Sequence, residues 1–433
     1  MRLPETVQPV AMRRVALVAP AGSMPEALAV VADTGLVEID PQEVTGRRNG
    51  VVTPDQLAEL AAEAVAGHGA EALAGWAPEE ALPSLTGRLT PLGAAVVPLA
   101  RPVGSEPPTL LRRRGVGRSF SPLVETYATI PYDDIDPTLF AGLAYVAMFG
   151  MMFGDVGHGL LLLAAGLFIR TRRHGRLARL RRAWTFVVGA GIASTIAGLA
   201  YGEFFGPTGV LPVRWIDPLE EPLKLMLVAV AVGAVLLAVA YAIGTANRVR
   251  EGGWSYALYA PSGLAGATLF LGGGLTLGGA YAHSSWLVLT GVLITLAGTG
   301  LSFVGLAASA GKGGARFVEA GVELFDLMLR LAANVASFAR LAAFGLTHAA
   351  LGAVVWDATT ALWSAGGAAL AAAVLVFLAG NALAFGLEAL VAGIQALRLE
   401  YYELFSRVFQ GEGRPFRPLR VAAPAPATKE GLS

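Results

Sequence analysis

The apolar residues in the second two-thirds of the chain form long, nearly uninterrupted segments. These segments cover approximately 139–169, 184–205, 223–247, 255–281, 285–309, 320–363 and 366–396. Segments of about 18 or more apolar residues are typical of helices that span a membrane. The pattern therefore predicts a mainly α polytopic membrane protein.

The first part of the chain instead alternates short apolar runs with polar residues and turns. The pattern predicts strands at 13–19, 36–40 and 93–100, and helices at 25–35 and 53–66. Strands and helices mixed in this way indicate a small α+β domain. We predict three regions, which are this cytosolic domain over 1–137, a membrane ion-translocation domain over 138–410 and a disordered cytosolic tail over 411–433.

Basic residues between the apolar segments predict how the chain is oriented in the membrane. The segment 170–182, RTRRHGRLARLRR, is strongly basic, and 248–253, 311–316 and 411–420 also carry Lys or Arg. Short loops rich in Lys and Arg stay on the cytosolic side. The first 30 residues lack an apolar core of signal-peptide length. We therefore expect a multi-pass protein with both termini in the cytosol.

The apolar segment 139–169 has cytosolic residues at both ends on this argument, so we expect it to cross the membrane twice. Its middle, MMFGDVGHGLL, places four glycines around Asp155 and His158, which indicates a break between two helices. Each arm has about 15 residues, or about 22 Å of helix, which is short for a hydrocarbon core of about 30 Å. With this thin hairpin, the sequence predicts about eight spans. Asp155 and His158 either only form the helix break or also lie on an ion path.

The last two apolar segments are too long for upright helices. A helix over 320–363 would measure about 65 Å, which is roughly twice the hydrocarbon thickness, and the same holds for 366–409. Such helices must be strongly tilted or bent. The sequence therefore predicts two long, tilted C-terminal helices.

Polar side chains follow one face of each of these two helices. At 100° per residue, an arc of roughly 140° on the first helix contains Glu319, Glu323, Asp326, Arg330, Asn334, Ser337, Arg340, Thr347 and His348. On the second helix, the residues that recur every seven positions are Asn381, Glu388, Gln395 and Tyr402, with Arg398 on the flank. An ionisable residue at membrane depth costs on the order of 3 kcal/mol, so the stripe predicts an ion path. The alternative is that these groups only hold the two helices together.

Arg340 lies in the middle of NVASFARLAAFGLTHAAL, with about ten largely apolar residues on each side. This position argues against snorkelling of its side chain to the membrane surface. Arg340 either pairs with a carboxylate such as Glu388, or acts as a fixed cation on a carboxylate that passes in front of it. Arginine suits the second role because it keeps its proton and favours the ionised form of a nearby carboxylate. The pattern alone leaves both interpretations open.

The composition narrows the chemistry further. Only 15% of the residues are charged, the net charge is zero and there is no cysteine. The chain therefore has no disulfide or zinc–thiolate site, and no net charge that favours nucleic acid. Asp155 and His158 form the only close pair of potential metal ligands, so we expect neither a metal nor a cofactor. The sequence contains no GxxxxGKS or GxxxxGKT loop for a nucleotide. The high content of Ala, Gly and Arg is typical of a high-GC prokaryote, so we expect a bacterial plasma membrane.

Several sequence blocks resemble the membrane stator subunit of V-type and A-type rotary ATPases, called subunit a or subunit I, of the 116 kDa subunit family. SFARLAAFGLTHAALGAVVW resembles the arginine-bearing helix of that family, and MFGMMFGDVGHGLLL resembles its first membrane hairpin. YGEFFG and LEALVAGIQALRLEYYELFSRVFQGEGRPFRPL are similar to its second and last spans. RRVALVAPAGSMPEALAVVADTGLVEID is similar to its N-terminal strand–helix–strand. The blocks occur in the family's order and cover nearly the whole chain.

The resemblance implies a non-catalytic subunit that provides two half-channels for ions, by expectation protons, beside a rotating proteolipid ring (the c or K ring). The residues that match the family's ion path are Arg340, Arg398, Asp326, His348 and Glu388. The residues that we add from the helical face alone are Asn334, Ser337 and Gln395. Arg340 matches the essential arginine, which keeps the ring carboxylate ionised and blocks a direct leak. Hydrolysis or synthesis of ATP would belong to other subunits.

The resemblance also implies partners. They are the proteolipid ring, peripheral stalk subunits, a central-stalk socket subunit and the lipid bilayer, with no nucleic acid. Family members carry a longer cytosolic arm with a coiled coil, whereas about 135 residues precede the first apolar segment here. We therefore expect a short form with a reduced N-terminal arm, which binds one peripheral stalk at most. An independent secondary transporter and an uncoupled structural scaffold remain alternatives.

Overall fold

The computed structural model forms two compact units. It describes residues 8–40, 51–102, 104–112, 115–172, 181, 183–310, 313–409, 411 and 413–421. The first unit contains the described residues within 1–112, 128–136 and 411–433, and the second contains those within 113–127 and 137–410. The basic segment 170–182 lies largely outside the described residues, because 173–180 and 182 are not among them.

The first unit is a small antiparallel sheet covered by short helices. Its elements are β1 (Met12–Pro20), α1 (Met24–Thr34), β2 (Glu38–Ile39), β3 (Val51–Val52), α2 (Pro54–Ala62), β4 (Val65–Gly67), β5 (Ala70–Pro78), α3 (Leu82–Leu89), β6 (Ala95–Pro98) and β7 (Arg420–Val421). The strand order is β2-β5-β1-β6, with β4 also paired to β5, and β3 pairs with β7. This arrangement confirms the predicted small α+β domain.

Alternation along β1 builds the core of this unit. Val15, Leu17 and Ala19 are buried on one face, where they pack with Leu28 and Val31 of α1. Side chains two residues apart lie on the same face of a strand, so this run of alternate apolar residues suffices to predict the strand.

Local capping signals fix the helices of the first unit. Gly35 ends α1 in the left-handed conformation. Thr53 accepts a hydrogen bond from Gln56 N at 3.3 Å, and the Gln56 side chain accepts one from Thr53 N at 3.0 Å. This reciprocal capping explains why the predicted helix begins where it does. The helix predicted over 53–66 ends earlier, at Ala62, because β4 begins at Val65.

The C-terminal segment 413–421 belongs to the first unit, which corrects the prediction of a disordered tail over 411–433. Leu419 is buried in the core of the unit, and the Arg417 backbone N–H donates to Glu38 at 2.6 Å. Arg414 forms an ion pair with Glu38 at 3.0 Å. Residues 422–433 lie outside the described residues. The pattern failed here because an extended segment without periodicity becomes ordered through tertiary contacts alone.

The second unit is helical. Its helices are α4 (Val116–Tyr127), α5 (Thr138–Met152), α6 (Val156–Thr171), α7 (Trp184–Tyr201), α8 (Pro222–Tyr259), α9 (Leu264–Tyr281), α10 (Ser285–Ser309), α11 (Ala315–Ser337), α12 (Ala339–Ala365) and α13 (Ala369–Leu399). Among the described residues, six helical stretches are long and apolar enough to span a membrane, with α11 and α12 forming one of them. The shorter apolar helices α5 and α6 lie on either side of the predicted break, and both pack against α7. The chain is thus a multi-span helical membrane protein with about eight membrane segments.

The amphipathic helix α4 packs with the helical unit, although the sequence placed it in the N-terminal domain. The Phe120 ring lies 6.0 Å from that of Phe186 on α7. Ser119 Oγ lies 3.2 Å from Thr185 Oγ1. The predicted boundary at 137 is therefore shifted, since the chain enters the helical unit at α4 and returns to the first unit before α5 begins.

The two long C-terminal helices predicted from the sequence are present. Residues Ala315–Ala365 form one stretch of 51 residues, in which Phe338 separates α11 from α12. Residues Ala369–Val408 form another stretch of 40 residues. It continues beyond α13 through a π-helical turn at Glu400–Phe405.

Candidate functional site

The helices α12 and α13 bring the two predicted polar faces together. His348 of α12 contacts Glu388 of α13, and Arg340 of α12 lies near Arg398 of α13. These contacts run in opposite directions along the two helices, which makes the pair antiparallel. At about 1.5 Å per helical residue, the two contacts are separated by roughly 12–15 Å. The structure therefore divides the polar stripe into two clusters.

The arginine cluster consists of Ser337, Arg340, Arg398 and Glu403. Arg340 is partly exposed, and its guanidinium lies within electrostatic reach of Arg398 and Glu403. Its Nη1 atom is buried and has no hydrogen-bond partner among the described residues. Ser337 lies beside Glu403. Two cations thus accompany one carboxylate, and Arg340 keeps free hydrogen-bonding capacity.

Two further predicted residues lie on the same helical faces. With its amide oxygen and nitrogen assigned from their neighbours, Asn334 accepts a hydrogen bond from Arg407 Nη2 at 2.6 Å and donates one to the Arg330 carbonyl at 3.1 Å. Gln395 has a buried Oε1 atom without a partner in the described part of the chain. The Asn334 amide therefore links α11 to the end of the last long helix.

Two glutamates that the sequence analysis missed lie on the π-helical turn Glu400–Phe405. Glu403 belongs to the arginine cluster. Glu400 is fully buried, and neither of its carboxylate oxygens has a hydrogen-bond partner among the residues described. The seven-residue period selected Tyr402 instead, which is 71% exposed, because the wider π-helical turn shifts the face of the residues within it. The available signal was a pair of glutamates soon after Arg398.

The histidine cluster consists of Asp155, His158, Glu203, His348 and Glu388. Asp155 caps α6, since its Oδ1 accepts a hydrogen bond from the His158 backbone N–H at 2.8 Å. Its Oδ2 accepts one from Gly206 N, also at 2.8 Å. The Glu203 carbonyl accepts a hydrogen bond from Val156 N at 3.0 Å. The GDVGHG block therefore does form the predicted helix break, and it binds the loop that follows α7.

His348 is the centre of this cluster. Its Nδ1 is hydrogen-bonded to Glu388 Oε2, and its Nε2 lies 4.0 Å from Glu203 Oε2. The rings of Phe153 and His158 lie 4.9 Å and 5.5 Å from its ring. Four members of the cluster are each at most 5% exposed, namely Asp155, His158, Glu203 and His348. An apolar shell thus encloses a group of acids and imidazoles.

Asp326 is not part of either cluster. Its carboxylate forms an ion pair with Arg330 at 2.5 Å, and the two side chains are 50% and 70% exposed. Fourteen helical residues, or about 21 Å of helix, separate Asp326 from Arg340. Glu319, Glu323 and Thr347 from the same predicted stripe are exposed as well.

The sequence expectation that Asp155 and His158 are the only close potential metal ligands is wrong. The structure adds His348, and one ligand atom from each of the three residues lies within 4.8 Å of the others. A distance of 190 residues along the chain separates His158 from His348, so spacing alone gave no signal of this proximity.

The chain is similar to a known protein family over both units. Residues 69–208 and 312–421 match the V-type ATPase 116kDa subunit family. These ranges include the GDVGHG block and the helices that carry both polar clusters.

Individual relatives agree with this match. The A-type ATP synthase subunit I of Aeropyrum pernix is 30% identical over 360 residues, which cover 70% of this chain and 50% of the relative. The same subunit of Methanocaldococcus jannaschii is 28% identical over 365 residues, covering 76% of this chain and 51% of the relative. The V-type ATP synthase subunit I 2 of Treponema pallidum is 41% identical over 88 residues, which are 20% of this chain and 19% of the relative. The chain spans about half the length of the two archaeal relatives that it matches.

Proposed function

The chain belongs to the V-type ATPase 116 kDa subunit family, and on that premise we propose that it is a membrane subunit of a rotary ATPase that conducts protons beside a proteolipid ring. One observation carries this proposal. The α12–α13 pair presents a partly exposed Arg340 whose Nη1 has no hydrogen-bond partner among the described residues. Because the Arg340 side chain is partly exposed, a carboxylate supplied by a neighbouring protein can reach its guanidinium. The buried Nη1 shows in addition that the described residues do not pair all of its N–H groups.

The charges around Arg340 suit that role. Arg398 adds a second cation, and Glu403 offsets only one of the two. An incoming carboxylate is held ionised beside such a pair because a nearby cation favours the charged form. Arginine itself keeps its proton, so it does not pass protons on and blocks a direct leak.

The remaining predicted residues complete the proposed path. They are Arg398, Glu388, Asp326, His348, Asn334, Ser337 and Gln395. The histidine cluster, at one end of the α12–α13 contact, forms one half-channel, and the face of α11 leads to the other. Both termini face the cytosol, in the plasma membrane of a prokaryote, and the first unit contacts a peripheral stalk. The ATP reaction takes place in other subunits.

Family membership favours this proposal over an independent secondary transporter. The uncoupled scaffold is a real alternative, because a helix pair with the same fold need not move ions. The free Nη1 of Arg340 favours the conducting subunit, since a bracing arginine is expected to have its donors paired.

The test is ATP-driven proton pumping into vesicles that contain the complete complex. We expect Arg340→Ala and Arg340→Lys to abolish pumping while the complex still assembles. Lysine keeps a charge but not the planar fork that pairs with a carboxylate through two hydrogen bonds. Arg316→Ala is the matched control, because Arg316 is an exposed arginine at the start of α11. Full pumping by Arg340→Ala would mean that Arg340 only braces the helices, and it would reject the proposed function.

A further inference from the structure

The histidine cluster is an unusual group of buried charges. It contains three carboxylates and two imidazoles, and no Lys or Arg among the described residues forms an ion pair with it. Four of its five side chains are at most 5% exposed. Burying ionised groups is costly unless an opposite charge accompanies them. Either protons or a bound cation must therefore balance the acids.

His348 is oriented as metal-binding histidines are. Its Nδ1 is hydrogen-bonded to the carboxylate of Glu388, and this arrangement fixes the tautomer and leaves the Nε2 lone pair free. That Nε2 lies 4.0 Å from Glu203 Oε2, which is too long for a hydrogen bond. The gap is about 0.6 Å wider than the distance of about 3.4 Å between two ligands of a tetrahedral zinc with bonds of about 2.1 Å. A small side-chain movement would therefore bring both atoms to one ion.

His158 and Asp155 lie at the same place. Both ring nitrogens of His158 are buried without a hydrogen bond of normal geometry among the described residues, although the Asn381 side chain of α13 lies beside the ring. Its Nδ1 lies 3.7 Å from Asp155 Oδ1. Two backbone N–H groups hold the Asp155 carboxylate in position, and its oxygens keep further lone pairs. One ligand atom each from Asp155, His158 and His348 lie within 4.8 Å of one another.

From this geometry we infer that the histidine cluster binds one divalent transition-metal ion of the zinc class. The three ligands that already lie together are His158, His348 and Asp155. Glu203, which lies 4.0 Å from His348 Nε2, moves toward the ion as the fourth ligand, and Glu388 orients His348. Two imidazoles and two carboxylates form a ligand set that suits zinc. A bound ion also balances the enclosed negative charge. As a second consequence, which rests on the proposed function, the ion immobilises His348 and stops proton flow.

The first experiment measures zinc binding to the full chain, purified in detergent with a tag that contains no histidine and stripped with a chelator. We expect one zinc ion per chain by calorimetric titration. X-ray absorption at the zinc edge should show two imidazole ligands. Absence of binding would mean that protons alone balance the cluster, and it would overturn the inference.

Variants locate the site. His158→Gln and His348→Gln should each weaken zinc binding by at least about 100-fold, since loss of an orienting partner alone costs 10–100-fold. Glu388→Gln should weaken it by about tenfold for that reason. His283→Asn is the matched control, because it removes an exposed imidazole from the loop before α10. Equal zinc affinity of the His158, His348 and His283 variants would place the zinc elsewhere and refute the site.

Pumping assays separate this inference from the proposed function. Zinc should inhibit proton pumping by the native complex and by His283→Asn equally, and the zinc concentration for half inhibition should match the dissociation constant that calorimetric titration gives for the histidine cluster. Zinc binding without inhibition, in a complex that depends on Arg340, would keep the site and reject the block. Zinc binding in a complex that pumps without Arg340 would keep the site and reject the proposed function.

Discussion

The arginine cluster and the histidine cluster lie on the same pair of helices, but they differ in charge and in exposure. The arginine cluster combines two cations with one carboxylate, and both arginines are at least partly exposed. The histidine cluster combines three carboxylates with two imidazoles, almost entirely enclosed. The comparison teaches that an exposed cation can await an external partner, whereas enclosed acids must be satisfied within the chain. We therefore expect changes in the arginine cluster to impair function with little loss of stability, and changes in the histidine cluster to lower stability as well.

The largest expected effect on stability is that of Asp155→Ala in the enclosed cluster. The carboxylate caps α6 and accepts a second hydrogen bond from Gly206 N. Losing a cap costs about 1 kcal/mol, and losing a hydrogen bond to a charged group costs about 1.5–3 kcal/mol. We expect the free energy of unfolding in detergent to fall by roughly 3 kcal/mol in sum.

Asp217→Ala is the matched control for this prediction. Asp217 also accepts two backbone hydrogen bonds, from Leu219 N at 2.9 Å and Glu220 N at 3.2 Å, but in an exposed loop. Water replaces those bonds when the side chain is removed, so we expect a loss of less than about 1 kcal/mol. Equal losses of stability for the two variants would contradict the expectation that burial makes the Asp155 hydrogen bonds more important.

The next largest effect on stability is expected at Glu400. This residue borders the arginine cluster, but it is buried like the acids of the histidine cluster. Its carboxylate oxygens have no partner in the described chain, so Glu400→Leu removes unsatisfied polar atoms from the interior. We expect the free energy of unfolding to rise by about 1 kcal/mol. A stabilised variant that no longer pumps would show that the chain keeps this carboxylate for ion transfer. A destabilised variant would mean that Glu400 is satisfied by groups outside the described residues.

The sequence predicted the fold more completely than the site. Apolar segments such as 285–309 coincide with α10, and Thr53 and Gly35 mark helix ends, because these features depend on local chain properties. The stripe around Arg340 was also visible, since helical periodicity is local. The proximity of His158 to His348 was not visible in the sequence, because it depends on how helices that are distant along the chain pack together. The π-helical turn hid Glu400 for a related reason, since it breaks the period on which the prediction relied.

Glu38 in the first unit lies outside both clusters and combines their features, because this carboxylate is buried but has cations beside it. Burial raises the pKa of Glu38 above its ordinary value of 4.5, and the hydrogen bond from Arg417 N and the charge of Arg414 only partly oppose this. A raised pKa in the folded state means that the protonated form stabilises the fold. This stabilisation is complete below the unfolded pKa and is lost as the pH rises through the folded pKa.

The variant Glu38→Gln tests this predicted direction of the pH dependence of stability. The native chain should lose stability relative to the variant as the pH rises from below 4.5 to neutral, because glutamine does not titrate. The measurement is the difference in thermal unfolding temperature between the two proteins across that range. A difference that changes in the opposite direction would mean that Arg414 and Arg417 dominate over burial, and that Glu38 is held ionised.

The smallest effect on stability is expected for Asp326→Asn. Its ion pair with Arg330 is exposed to solvent and spans one helical turn, and such pairs contribute about 0.3–0.5 kcal/mol. Unfolding of the variant should therefore be nearly unchanged, in contrast to Asp155→Ala. Pumping then separates two roles for Asp326. If pumping falls while stability holds, this carboxylate works on the ion path, although it lies in neither cluster. If pumping is also unchanged, the proposed path does not extend to Asp326, and the arginine cluster itself forms the end of the path on that side.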